Sequence, residues 1–343
     1  MGERLVGGLT SVVIGRDCLS RLFTGEEPLL AVLTQAGEAS ATARAVIEVA
    51  DAAGLRTSLK ELPDGDAAKS LAVVEETAAW LAEVGMTRRG VIVGVGGGAL
   101  TDAAGFVGSV YMRGVPVRYV PTTLLAAVDA AIGGKTAVNV GGKNLIGTFA
   151  HPEKVVIDLE VLESLAEPLL AEGMAEALKA GLVGDPDLFA ILERSGLEAE
   201  LEEVIERAID VKARIVDADF RESGIRAYLN YGHTVGHALE RLAGLSHGRA
   251  VAVGMVAAGI ASEIVTGFPD AARVQRVIES LGLPVSCQGV GRGDALKLVE
   301  MDKKRDPDGL RMVLLERIGR PVVSSVPATT LDAALEAIGI GGR

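Results

Sequence analysis

Three of the four histidines in this 343-residue chain, His233, His237 and His247, lie within one fifteen-residue stretch of the run LNYGHTVGHALERLAGLSHG. His233 and His237 are spaced i, i+4, which on a helix stacks both imidazoles on one face. His247 follows just before Gly248, placed so that a loop returns it to the same neighbourhood. Neutral imidazole is the commonest side-chain metal ligand, and divalent zinc is a frequent partner. A carboxylate that could complete the set stands upstream, Glu176 in Gly173-Met174-Ala175-Glu176-Ala177-Leu178-Lys179. Two histidines and a glutamate leave positions open to substrate, as catalytic zinc sites do. The i, i+3 spacing of Glu176 and Lys179 reads equally well as a surface ion pair, and a histidine on an apolar helix as a satisfied core residue.

A second set of residues suits anions. After the apolar run Val91–Val95 comes Gly96-Gly97-Gly98-Ala99-Leu100-Thr101-Asp102, a glycine-rich turn opening a helix. Backbone N–H groups and the helix dipole at such a turn attract a pyrophosphate, although the spacing departs from GxGxxG. Pro121-Thr122-Thr123 follows the next strand, where its hydroxyls would face the same crevice. Asp64-Gly65-Asp66-Ala67-Ala68-Lys69 combines a turn, a helix cap and a cation. Further on, Asp129, Gly133, Gly134 and Lys135 interrupt an apolar stretch, and Gly141-Gly142-Lys143-Asn144 is another glycine-rich turn with a cation. Lysines on such turns suit phosphate. Lys212, Glu222, Arg226 and Asn230 lead up to His233, and Asp302-Lys303-Lys304 adds cations near the end. Taken singly, each segment also reads as a tight turn, a capped helix or a solvated face.

The length calls for two domains to position these groups. Residues 28–35, 90–95 and Val115–Val120 are short apolar runs that read as buried parallel strands, with helical spacing over Ala39–Ala53 and Ala67–Val84 between them. From about residue 156 the pattern is helical over Pro168–Ser195, Leu197–Ala218, Tyr231–Leu245 and Ala250–Val265, with no strand expected before Met312–Leu315. The reading is an α/β domain over 1–155 and a mostly α-helical domain over 156–343. Abundant glycine (43 residues) and few aromatics (3%) fit an α/β enzyme with small-residue packing. A formal charge of −12 repels nucleic acid and anionic membranes, so an anionic substrate must meet a local basic pocket. Two distant cysteines, Cys18 and Cys287, no basic-then-apolar leader and no uninterrupted apolar run of ~18 residues point to a cytoplasmic protein.

In this order, GGGALTDAAGFVGSVYMRG, PTTLLAAVDAAIGGKTAVN, GKNLIGTF, GMAEALK, ESGIRAYLNYGHTVGHALE, LSHGRAVAVGM and MDKKRDPDG resemble the 3-dehydroquinate synthase family over residues 64 to 309. The resemblance implies a Rossmann-like NAD-binding domain followed by an α-helical metal and substrate domain. It implies a lyase that uses NAD+ and Zn2+ or Co2+ to convert 3-deoxy-D-arabino-heptulosonate 7-phosphate into 3-dehydroquinate and phosphate in the shikimate pathway, recycling its cofactor. By resemblance the metal ligands are Glu176, His233 and His247. Lys135, Asn144, Arg113, His237 and one of Lys303 or Lys304 match the clamp on phosphate and carboxylate, Arg113 reaching across a homodimer interface. Asp129, Lys179, Lys212, Glu222, Arg226 and Asn230 match residues that hold the reacting hydroxyls and carboxylate. For NAD+ the matching positions are Asp64, Gly65, Asp66, Lys69, Gly97, Gly98, Asp102, Thr122, Thr123, Leu125, Lys135, Lys143 and Ser164.

Departures from the family pattern are Pro168-Leu169 in place of an Arg-Glu pair, a loop from Lys135 to Lys143 one residue short, Arg249 where a glutamate is common, and Asp66 for a glutamate. Competing readings are a related cyclase acting on an amino analogue or on sedoheptulose 7-phosphate, a metal-dependent polyol dehydrogenase, and an NAD- and metal-binding descendant without turnover. Lys212, Arg226 and Asn230 weigh against the sedoheptulose enzymes, and the phosphate-type cations against the dehydrogenase. A zinc peptidase would want a glutamate after the first histidine, where this chain has Thr234.

Overall fold

Runs of apolar residues bounded by turns become the strands of the first of two units, Met1–Leu165 and Ala166–Arg343. The computed structural model describes residues 2–302 and 310–341. In chain order the first unit carries β1 (Gly2–Val6), β2 (Thr10–Gly15), β3 (Leu30–Thr34), β4 (Thr57–Glu61), β5 (Val91–Gly96), β6 (Val117–Pro121), β7 (Lys135–Val138), β8 (Ile146–Phe149) and β9 (Lys154–Asp158). Every residue of β3, β5 and β6 is buried, as in strands covered on both faces. By contrast, β4 (TSLKE) carries no buried residue and lies at the sheet edge.

Seven strands form one sheet in the order β1-β2-β9-β6-β5-β3-β4, and β7 pairs with β8 in a separate hairpin. Within the sheet only β1–β2 is antiparallel. From β3 the chain runs outward to β4 and then back to β5 on the other flank of β3. This reversal places the glycine-rich turn after β5 at a topological switch point, where open α/β sheets bind ligands. The helix Gly98–Val110 lies close to the sheet because its face is small: a Cβ on Gly105 would meet Tyr119 Oη at 2.2 Å and Thr136 Cγ2 at 2.5 Å.

The expected boundary at 155/156 is corrected by β9, which pairs with β2 (Ser11↔Lys154) and with β6 (Arg118↔Lys154). A cut there would split a strand of the sheet. The division falls after Leu165, because the last strand precedes the change in sequence texture and a short helix, Leu159–Glu163, completes the unit.

The second unit holds the helices Glu167–Gly184, Pro186–Ser195, Leu201–Ala218, His233–Ala243, His247–Thr266, Ala271–Ser280, Arg292–Asp302 and Ala328–Ala337, with a hairpin of β10 (Leu310–Arg317) and β11 (Arg320–Val326). Helix breaks follow local chemistry: Asp185 caps Pro186–Ser195 by accepting from Asp187 N and Leu188 N. Pro168 sits in the first turn of Glu167–Gly184, where a missing N–H removes no helical bond. His247–Thr266 is the one helix among the described residues long and apolar enough to cross a bilayer, and 72% of that apolar window is buried inside the protein.

Candidate metal centre and dinucleotide turn

Three helices of the second unit bring Glu176, His233 and His247 together. Their closest ligating atoms all lie within 4.8 Å of one another. Glu176 is 2% exposed in Glu167–Gly184, and both of these histidines open their helices, His233 after Gly232 and His247 after Ser246. The two histidine helices cross with backbones in contact. A Cβ on Gly254 would stand 2.0 Å from Gly232 O and 2.9 Å from Gly236 N, so any larger residue must push the helices apart.

Both Nε2 atoms converge on one carboxylate oxygen, His247 at 3.0 Å and His233 at 3.5 Å from Glu176 Oε1. Their Nδ1 atoms are held from outside, His233 at 3.2 Å from Tyr231 O and His247 at 2.7 Å from Glu240 Oε1. Outer partners of this kind fix the tautomer and ring direction of metal-binding histidines. The other Glu176 oxygen pairs with Lys179, and both side chains are buried, so the i, i+3 pair belongs to the interior. His237 stands beside the set, its ring centroid 5.2 Å from His233 and 6.4 Å from His247.

The group fits a divalent cation. A tetrahedral zinc with bonds of about 2.0–2.2 Å keeps its ligand atoms roughly 3.3 Å apart, and the two separations from Glu176 Oε1 bracket that value. Burial, helped by the Lys179 charge, lowers the His233 pKa to about 3, which keeps the imidazole neutral and able to ligate. Burial also pulls His247 down, but hydrogen bonds to Glu176 and Glu240 outweigh it and raise the pKa to about 9.

The helix Leu201–Ala218, which packs against Glu167–Gly184, carries the buried Lys212, and the turn that follows carries Glu222, Arg226 and Asn230. Asn230 Nδ2 donates to Glu222 Oε1 at 2.9 Å, Glu222 has a left-handed φ of 57°, and Arg226 is 1% exposed. Asp219 clasps that turn, accepting from Ser223 N, Ser223 Oγ, Gly224 N and Arg226 N at 2.7–3.0 Å. These bonds hold its carboxyl at about 2. Lys303 and Lys304 lie outside the described residues.

In the first unit the glycine turn and Pro121-Thr122-Thr123 do meet. A Cβ on Gly97 would touch Thr123 at 3.4 Å, and one on Gly98 would touch Ala130 at 3.1 Å and Leu125 at 3.6 Å. Thr122 N donates to Gly96 O, and Asp129 lies in a π-helical turn, Ala126–Ala130, a conformation common at functional sites. Lys69 is 3% exposed and donates to Asp102 and to Asn144, joining the Asp64–Lys69 turn to the loop between β7 and β8. Asn139 strengthens that link: its N–H donates to Lys69 O at 2.7 Å and its Oδ1 accepts from Asn144 N at 2.9 Å. Asn144, expected with the phosphate clamp, thus sits with residues expected on the dinucleotide. The helix cap expected in the Asp64–Lys69 segment is Ser70, whose side chain accepts from Val73 N, while Gly65 and Asp66 belong to a 3-10 turn. Lys135 is exposed at the start of β7, Lys143 lies in the β7–β8 loop, and Ser164 Oγ turns back to Val161 O at 2.7 Å. Arg113 and Met112 are consecutive left-handed residues, φ 68° and 49°, at an exposed turn.

Comparisons with known proteins place the whole chain in one family. The model of the 3-dehydroquinate synthase N-terminal region matches residues 59–172, and that of the C-terminal region matches 173–305. A 3-dehydroquinate synthase from Thermobifida fusca (strain YX) is 41% identical, with 96% of this chain and 94% of the relative covered. The chain belongs to the 3-dehydroquinate synthase family. Among solved structures, 2-deoxy-scyllo-inosose synthase with carbaglucose-6-phosphate, NAD+ and Co2+ is 25% identical, with a TM-score of 0.89 over 98% of this chain and all of that one. A 2-epi-5-epi-valiolone synthase from Streptomyces hygroscopicus subsp. jinggangensis 5008, with NAD+ and Zn2+, is 26% identical, TM-score 0.88, covering 95% and 96%. The α/β unit with a helical partner is therefore the architecture of 3-dehydroquinate synthase-like cyclases.

Three contact residues of this family member escaped the sequence reading. Glu240 lies three residues after His237 on the same helix face, a spacing that could have drawn it in. Asp219 and Asn139 carry no comparable signal, because each acts through backbone N–H groups brought near by a turn. Of the departures, Pro168-Leu169 falls at a helix start, with Leu169 41% exposed and removed in sequence from Glu176.

Proposed function

We propose that this chain is a 3-dehydroquinate synthase, converting 3-deoxy-D-arabino-heptulosonate 7-phosphate into 3-dehydroquinate and phosphate with NAD+ and Zn2+ or Co2+. The observation that carries the reading is the convergence of two oriented imidazoles on a buried glutamate in a chain matched by both family models. When bound, the cation would supply Lewis-acid polarisation of sugar oxygens and NAD+ a hydride acceptor that is regenerated within the turnover.

The protein's own residues supply binding and orientation. Glu176, His233 and His247 would hold the cation, with Lys179 paired to Glu176 in a buried setting. Lys212 and Arg226 suit the substrate carboxylate, and the Glu222–Asn230 pair and Asp129 suit hydroxyls. Lys135, Asn144, Arg113, His237 and one of Lys303 or Lys304 are the residues assigned to the phosphate and carboxylate, answering the need for local cations in a chain of charge −12. Neutralising the phosphate assists its departure, because negative charge grows on the leaving group. Asp64, Gly65, Asp66, Lys69, Gly97, Gly98, Asp102, Thr122, Thr123, Leu125, Lys143 and Ser164 serve the dinucleotide, the glycine turn offering N–H donors at the start of Gly98–Val110.

A cytoplasmic homodimer completes the reading. Two free, buried cysteines remote in sequence support a reducing compartment, and the strained tip at Met112 and Arg113 supports a contact there with a second copy. Sedimentation at micromolar concentration tests the dimer. The activity is tested by offering the heptulosonate 7-phosphate, its amino analogue and sedoheptulose 7-phosphate in parallel. Dehydroquinate from the first at the highest kcat/KM supports the reading, and preference for either of the others overturns it.

A further inference from the structure

We propose that Glu240 is a positioning residue that aims His247 at the metal by accepting from its Nδ1–H. The inference rests on the reading that Glu176, His233 and His247 hold a divalent cation. Each ligand histidine is the first residue of its helix and lacks a preceding helical turn to restrict its ring. His233 finds its outer acceptor locally, in the carbonyl of Tyr231 two residues earlier. His247 follows the turn Gly244-Leu245-Ser246, with Gly244 left-handed, and Ser246 points away to Glu172 Oε1 at 2.6 Å. Its outer acceptor comes instead from the other histidine helix. Glu240 lies two turns along from His233, its side chain 9% exposed, with Oε1 2.7 Å from His247 Nδ1. One helix therefore supplies a ligand, the neighbouring His237, and the acceptor that orients the second ligand.

The bond selects the tautomer with the proton on Nδ1 and the lone pair on Nε2, the atom that faces Glu176 at 3.0 Å. Without an acceptor at 240, the ring at a helix start can rotate or exchange tautomer. The site would then lose one of three preorganised donors. The requirement is for an acceptor oxygen, which a glutamine carbonyl also provides.

The test measures Zn2+ affinity on metal-stripped protein by competition with a chromophoric chelator, with neither NAD+ nor sugar present. Glu240→Met keeps the length of the side chain and removes the acceptor; Glu240→Ala is the second variant should the first pack badly, and near-UV circular dichroism checks that each is folded. The expected result is affinity weaker by about 10–100-fold for Met or Ala, the range found for lost outer partners of metal ligands. Glu240→Gln should come back to within about threefold of wild type, and nitrogen NMR of its Zn2+ form should show His247 still carrying the Nδ1 proton. Wild-type affinity in a folded Met or Ala variant overturns the proposal, as does a glutamine variant no better than the alanine one. Failure of wild type itself to bind Zn2+ would overturn the metal reading, a separate outcome.

Discussion

Lys69 Nζ lies 2.5 Å from Asn144 Oδ1 and 2.5 Å from Asp102 Oδ2, so one buried ammonium bridges the turn after β4, the helix after β5 and the loop between β7 and β8. Residues assigned to cofactor and to substrate phosphate thus share a cation. Replacing Lys69 with Met should leave Asp102 and Asn144 without it and free the Gly141–Leu145 loop. We expect NAD+ affinity and kcat/KM for the sugar phosphate both to fall, each by tenfold or more, in line with about 1.4 kcal/mol per decade. Calorimetric titration with NAD+ and steady-state kinetics check this; a loss confined to NAD+ would remove the link between the two.

His247→Ala should abolish turnover and lower bound metal, because losing one of three protein ligands severely weakens such a site. Metal analysis of the purified variant alongside its rate decides the point. Full metal with full rate would contradict the ligand assignment.

Proton linkage gives the centre a pH signature. His247 in the metal-free protein titrates near 9, above its ordinary 6.5. The stability it contributes is therefore complete below 6.5 and lost as pH rises through about 9. His233, held near 3 by burial, has the opposite effect: stability falls as pH drops below 6.5, where the unfolded chain takes up the proton that the folded chain refuses. A metal must displace the His247 proton but none from His233. Zn2+ affinity should rise about tenfold per pH unit between 7 and 9, with roughly one proton released per ion. Calorimetry in two buffers of different ionisation enthalpy measures that proton, and pH-independent affinity would contradict the scheme.

The first unit has its own electrostatic anchor. Buried Arg118 donates to Glu27 Oε1 at 2.6 Å, to Leu22 O at 2.7 Å and to Glu153. Burial raises the Glu27 pKa, yet hydrogen bonds from Thr24 and Arg118 bring it to about 2. Its contribution is present above 4.5 and lost as pH falls through 2. Glu27→Gln should cost about 3 kcal/mol at pH 7, the order set by that shift and by a broken buried pair, and the cost should shrink toward pH 2. Denaturant unfolding at several pH values tests both the size and the trend.

What the sequence revealed depended on how local each signal was. His233, His237 and His247 stood out because a scarce residue recurs at helical spacing, and β3, β5 and β6 because buried strands are apolar without interruption. The edge strand β4 is invisible in the pattern since TSLKE buries nothing, and the expected boundary falls early since β9 reads as the end of a pattern when it is an interior strand of the sheet. Lys179 could not be told from a surface partner of Glu176 until its burial was seen. The Lys69–Asn144 contact spans 75 residues, and Asn144 reaches it from a left-handed backbone, φ 58°, which no spacing rule encodes.

A cyclase of this kind oxidises and reduces its substrate within one turnover. The most direct test of that cycle follows phosphate release and nicotinamide absorbance together, with the heptulosonate 7-phosphate, NAD+ and Zn2+ or Co2+. One phosphate and one dehydroquinate per sugar consumed, with no net NADH, is the expected result. Accumulating NADH, or tight binding of NAD+ and metal with no phosphate released, would contradict it.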